Sequence, residues 1–185
     1  MKRFRIDKKK LPKISPSKNY FLSLAGSIIY QQISTKAGDS IYRKFLALFG
    51  GKKPTPQHFL SFSEIRIKSA GISPQKTGYL KDLAEKFLDG TINPKNFHKM
   101  SDEEIKGHLI VVKGVGPWTA EMFLIFALNR SNVLPVGDLG VRKGFQKFFK
   151  LNKLPDEKKM RKLAKPFVGE YTTLTLHMWQ IMDEK

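Results

Sequence analysis

Apolar residues recur at three- and four-residue intervals along almost the whole chain, and nowhere is the alternation of a half-buried strand sustained. Behind Ser15-Pro16-Ser17, the run from Lys18 to about Ser34 sets Phe21, Leu24, Ala25, Ile28 and Ile29 on one helical face. A second helix is predicted over Lys36 to Phe49, stopped by Gly50-Gly51, and Lys52-Lys53-Pro54-Thr55-Pro56 reads as a connector. After a Phe59-Leu60-Phe62 cluster come a short helix, from Ser63-Glu64 to Gly71, and a longer one, from Pro74 to Leu88, that ends at Gly90. Ser101-Asp102-Glu103-Glu104 has the form of a capping box and opens a helix to about Val111. Four more are predicted over Trp118 to Leu128, Leu139 to Lys150, Pro155 to Lys165 and Gly169 to Met182, with Phe145, Phe148, Phe149, Leu174, Met178 and Trp179 among their core positions. Helix after helix, joined by short Gly/Pro turns, predicts an all-α domain.

One stretch, Leu109 to Val141, departs from this plain succession. Between two predicted helices lies Gly114-Val115-Gly116, followed at once by Pro117. Two glycines around one apolar residue permit a tight turn and the close approach of another surface. Proline suits the first position of a helix, and such a helix start offers N–H groups and partial positive charge to a phosphate. The same pattern also serves a simple turn between helices. Further on, the apolar rise Val133 to Val136 ends in Gly137-Asp138 at the mouth of another helix. Asp138 there has the residue type and place of an N-cap, and equally those of a carboxylate held at a set distance from the hairpin.

Charge narrows the partner. The 185 residues carry 34 Lys plus Arg against 16 Asp plus Glu, a net charge of +18. Such an excess predicts a polyanionic ligand. No apolar run approaches the ~18 residues that a membrane span needs, so the expected polyanion is nucleic acid and no membrane is involved. Cysteine is absent, which excludes disulfides, cysteine-held zinc and iron–sulfur clusters. His98 and His108 are too scattered for a metal site. Residues 1–14 form a basic leader without periodicity, as suits a solvated tail or a DNA-touching arm; residues 15–185 form the main domain. The leader is followed by no apolar segment of signal-peptide type, and the expected location is intracellular.

The segments VVKGVGPWTAEMFLIFAL and VLPVGDLGVRKG resemble the helix-hairpin-helix (HhH-GPD) DNA glycosylase superfamily, most of all its 3-methyladenine DNA glycosylase II group. SLAGSIIYQQISTKAGDSIYRKF and SAGISPQKTGYLKDLAEKF extend the resemblance to about residues 18 to 182. It implies a two-lobed helical fold, with the hairpin motif at about residues 101–128, in a minimal form that begins without the N-terminal β-rich domain of longer relatives. The implied activity is excision of alkylated purines from damaged duplex DNA. On this resemblance Lys113, Gly114, Val115, Gly116 and Thr119 hold the DNA backbone, and Asp138 is the catalytic carboxylate. Gln32 or Ile33 plugs the gap left by the flipped base, although polar Gln31 and Gln32 beside Ser34 also fit a solvated helix end.

Trp118 stands where bifunctional relatives carry a Schiff-base lysine, so the resemblance implies base release without strand cleavage. It is the expected stacking surface for a cationic base; the alternative is a core tryptophan. Met122 replaces the second pocket aromatic of many relatives. Gly169-Glu170-Tyr171-Thr172-Thr173 replaces their aromatic-Arg-Ser, leaving Phe167 and Tyr171 to compensate and Tyr171 as the pocket candidate. The family's sodium or potassium ion would be bound by backbone carbonyls of Ile110, Val112 and Val115; no redox or organic cofactor is implied. A monomer is expected. The rival readings are a non-catalytic helix-hairpin-helix DNA-binding protein and a glycosylase for other damaged or mismatched bases.

Overall fold

The computed structural model describes residues 6–183, whose regular structure is all helical, with no β-strand among them. Ten α-helices follow one another: α1 (Tyr20–Tyr30), α2 (Thr35–Ala47), α3 (Pro56–Leu60), α4 (Glu64–Ser69), α5 (Pro74–Leu88), α6 (Asp102–Ile110), α7 (Pro117–Phe126), α8 (Leu139–Phe148), α9 (Glu157–Ala164) and α10 (Tyr171–Asp183). Among the described residues no helix is long and apolar enough to cross a membrane. Eight helices start behind a side-chain cap, from Asn19, Ser34, Thr55, Ser63, Ser73, Ser101, Asp138 and Asp156. Each cap satisfies an orphan N–H and contributes about 1 kcal/mol. At Ser101 the reciprocal bond from Glu104 completes the capping box.

The chain forms two compact units, Ser17–Phe123 and a second made of residues 6–16 with 124–183. In the first, α5 is the hub against which α1, α3 and α4 pack. Phe21, Phe45, Phe49, Phe59 and Phe62 interlock there, with ring centroids 5.1–6.3 Å apart. Such pairs add about 0.5–1.5 kcal/mol each beyond the area they bury.

In the second unit α8 and α10 lie against each other around Val141, Phe145, Met160, Leu174 and Met178. Gly144 permits the close approach: a Cβ there would stand 2.8 Å from the Cα of Met178. Ile6 packs against this core and Lys8 pairs with Glu170, so that part of the basic leader belongs to the second unit. Residues 1–5 of the leader lie outside the described residues.

Two of the differences from the expected boundaries have a visible local cause. The first helix ends at Tyr30 rather than near Ser34, because Gln32 takes a left-handed conformation (φ 56°) and Ser34 caps α2 instead. Pro56, expected to close a connector, is the first residue of α3 behind the Thr55 cap, a place where proline's missing N–H costs nothing. A 3₁₀ turn, Pro94–Lys99, was also not expected.

Candidate functional site

The hairpin between α6 and α7 is held from beneath by α5. Gly114 has φ +80°, and the Tyr79 ring fills the space that a Cβ would need, so only glycine fits. Gly116 is different: a Cβ there would meet nothing within 4 Å, so nothing in the protein demands its bareness. Val115 closes the turn by donating to the Val112 carbonyl at 3.0 Å. Asp82 Oδ2 accepts the Lys113 backbone N–H at 2.8 Å, and its Oδ1 pairs with Lys86 at 2.8 Å. Burial alone would raise the Asp82 carboxyl, but the Lys86 and Lys113 hydrogen bonds outweigh it and hold it below the usual carboxylate range.

The α1–α2 turn is tied to the same hairpin. Gln31 Nε2 donates to the Gly114 carbonyl at 2.8 Å and lies 3.4 Å from Thr119 Oγ1. Lys76 Nζ, on α5, donates to the carbonyls of Ile29 and Gln31, both at 2.7 Å. Next along, Gln32 is exposed at the apex of the turn.

In the second unit Asp138 caps α8. Its Oδ1 accepts the Val141 N–H at 2.7 Å and the indole N–H of Trp179 at 3.0 Å. That indole lies nearly parallel to Phe126, with centroids 5.8 Å apart and planes at 16°.

The family model of HhH-GPD superfamily base excision DNA repair proteins matches residues 25–169, a stretch that takes in both the hairpin and Asp138. The chain belongs to this superfamily. It is 31% identical over 165 residues to DNA-3-methyladenine glycosylase 1 of Schizosaccharomyces pombe, covering 88% of this chain and 72% of that protein. With the DNA-3-methyladenine glycosylase of Saccharomyces cerevisiae it shares 35% over 179 residues, 90% of this chain but 58% of the yeast protein. Among solved structures, the 3-methyladenine DNA glycosylase of S. pombe in complex with abasic DNA superposes with a TM-score of 0.82 at 30% identity, over 93% of this chain and 85% of that one. A DNA-3-methyladenine glycosidase of Bacillus halodurans gives 0.86 at 29% identity, over 94% of this chain and 82% of its own.

Within the superfamily fold each expected residue has a definite place. Trp118 is 48% exposed on the first turn of α7, which excludes the core role. Met122, one turn on, is buried. Lys113 is exposed. Thr119, expected to touch DNA, is 4% exposed and its hydroxyl faces Gln31, so its side chain is occupied within the protein. Of the two wedge candidates Gln32 is exposed and Ile33 half-buried, and both line one cavity together with Ile29, Ile41, Ile72 and Lys76. Tyr171 opens α10 and packs against the second unit's core, as does Phe167. Ile110 is the last residue of α6, where carbonyls run out of helical partners, whereas the Val112 carbonyl already takes the Val115 N–H.

Two residues escaped sequence reasoning. Trp179 packs against the second unit's core as expected and also donates to Asp138, while Gln31, in place of a solvated helix end, binds the hairpin. The available signal was a polar handle on each: an indole N–H and a primary amide seek partners when covered.

Proposed function

We propose that this protein is a monofunctional DNA glycosylase that flips alkylated purines, of the 3-methyladenine and 7-methylguanine type, out of duplex DNA and hydrolyses their N-glycosidic bond. That reaction opens base excision repair. The observation that carries the reading is the double hold on Asp138. A helix cap needs only the Val141 bond; the indole N–H adds a second donor to the same oxygen and fixes the carboxylate in one orientation.

The chemistry follows from what a methylated purine requires. A base within a duplex must first be rotated out, at a cost of about a few kcal/mol that is least for weakened pairs. The hairpin grips the backbone through its N–H groups and the α7 N-terminus, and Gln32 occupies the gap. As the bond from the base to the anomeric carbon breaks, positive charge grows on the sugar and the bonding electrons leave with the base. A cationic methylated purine thereby departs neutral and needs little general acid. The Asp138 carboxylate stabilises the oxocarbenium ion and takes the proton of the attacking water. Trp118 offers an exposed aromatic face to the cationic base. With tryptophan in the Schiff-base position, no imine forms and the strand stays whole. A sodium or potassium ion at the hairpin would be held by the carbonyls of Ile110, Val112 and Val115, the Val112 carbonyl then serving both the ion and the Val115 N–H, and would add positive charge beside the phosphate.

Base release from methylated duplex DNA by wild type and by Asp138→Asn tests this. Asn is itself a good N-cap and keeps an acceptor for Val141 and Trp179, so the variant removes charge with little else. Wild type should release methylated purines, with strands cut only after alkali. The variant should be slower on the order of 100-fold or more. Full release by Asp138→Asn would remove Asp138 from the chemistry. No release by either, with salt-sensitive DNA binding intact, would leave a DNA-binding protein without catalysis.

A further inference from the structure

The hairpin and the α1–α2 turn are remote in sequence, yet three side chains make them one object. Gln31 and Gly114 are 83 residues apart and joined at 2.8 Å. Gln31 is half-buried, and its amide nitrogen faces the Gly114 carbonyl and the Thr119 hydroxyl, the one before and the other just after the apex of the hairpin. Lys76 approaches from the other side, holding the carbonyls of Ile29 and Gln31 that a terminating helix leaves without partners. A third group, Asp82, holds the Lys113 N–H. Lys76, Tyr79 and Asp82 recur every third residue of α5, so one face of one helix carries the turn at its start and the hairpin further along. Gln32, the residue that follows Gln31, sits at φ 56°. For a residue with a Cβ this conformation costs about 1–2 kcal/mol and persists only where the surroundings determine it.

We propose that Gln31 is a positioning residue, seconded by Lys76, which locks the Gln32 turn to the hairpin so that the wedge enters the duplex at a fixed offset from the gripped phosphate. The proposal rests on the DNA glycosylase reading and on Gln32 as the wedge, but it assigns Gln31 no contact with DNA. Its side chain faces inward to the hairpin carbonyl, and substitution there acts on the aim of Gln32. A grip without a fixed offset still binds duplex DNA; it fails to hold the gap open for long enough to retain the flipped nucleotide.

The test uses the full chain and a short duplex bearing either a methylated purine or a stable abasic analogue, with 2-aminopurine beside the site. Emission rises when the neighbouring stack opens. Gln31→Leu and the nearly isosteric Gln31→Glu both remove the donor to Gly114; Lys76→Met removes the second tie. All three should keep affinity for undamaged duplex within about threefold, since the hairpin contacts that position the backbone remain. Each should lose the emission rise and slow single-turnover release at saturating enzyme by roughly 10- to 100-fold, the cost of misplacing a positioned group by about 1 Å. The decisive variant is Gln31→Leu with Gln32→Ala. If Gln31 acts through Gln32, the double variant is no slower than the worse single one; two independent defects would multiply. Multiplied effects, or loss of thermal stability alone with emission and release intact, would overturn the proposal. If wild type bound the abasic duplex with the emission rise but released no base, the glycosylase reading would fall, while loss of that rise in Gln31→Glu would still support the lock.

Discussion

Trp179 and Asp138 illustrate how much one polar atom decides. An indole N–H covered by protein and left without an acceptor costs about 1–3 kcal/mol, so Trp179 has reason to find Asp138 irrespective of catalysis. The consequence for the carboxylate is orientation, because the Val141 and Trp179 bonds converge on Oδ1. Trp179→Phe keeps a ring against Phe126 and deletes only the donor. Single-turnover base release should slow by roughly tenfold, the worth of about 1.4 kcal/mol of lost preorganisation, with duplex affinity unchanged. An unaltered rate would make Trp179 a packing residue. The hairpin glycines separate in the same way. Gly114→Ala meets both a positive φ and the Tyr79 ring, and should lower stability by about 1–3 kcal/mol in thermal or urea unfolding. Gly116→Ala meets open space within the protein; its stability should stay within about 0.5 kcal/mol while affinity for duplex DNA falls, because on the proposed grip the added methyl lies where the DNA backbone approaches. A destabilised Gly116→Ala with normal DNA affinity would contradict that division.

At the level of elements, α5 governs the hairpin partly through a titratable bond. Asp82 is held below the usual carboxylate range in the folded protein, so its contribution is complete above the ordinary carboxylate value and disappears as pH falls through the lower folded value. Acid unfolding should accordingly be steeper in wild type than in Asp82→Asn. The variant, which leaves Lys86 without its charged partner, should be less stable by about 1–3 kcal/mol at neutral pH. Urea midpoints measured from neutrality down to the acid limb would show the two converging; a gap that persisted in acid would mean that Asp82 acts by packing. Helices such as α5 and α6 were legible because their signals are local: Ser73 before Pro74, and Ser101 three residues before Glu104. The hairpin was legible for the same reason. α3 was not, because the prolines that mark a connector also fit a helix start. Nor was the link from Gln31 to Gly114 or from Trp179 to Asp138, since these partners lie 83 and 41 residues apart. Periodicity tells which face of a helix is covered, not which polar atom waits beneath.

For the whole molecule, the net charge of +18 acts on encounter more than on bond cleavage. Each phosphate neutralised by a cation releases condensed counterions, and the logarithm of duplex affinity falls by about 0.9 per neutralised phosphate for each unit of log salt. With about six such contacts, raising monovalent salt from about 50 to about 200 mM should weaken binding by roughly 10³-fold. The chemical step answers to different groups. Asp138 is partly covered and accepts hydrogen bonds from Val141 and Trp179 at 2.7 and 3.0 Å, and a partly buried charge is screened by salt less than an exposed one. The two quantities should therefore part company across the same titration. kcat/KM should fall in step with affinity, while single-turnover release at saturating enzyme should stay within about twofold. If the saturated rate fell in parallel with affinity, the surface cations would be stabilising the transition state itself, and the assignment of that task to one oriented carboxylate would have to be given up.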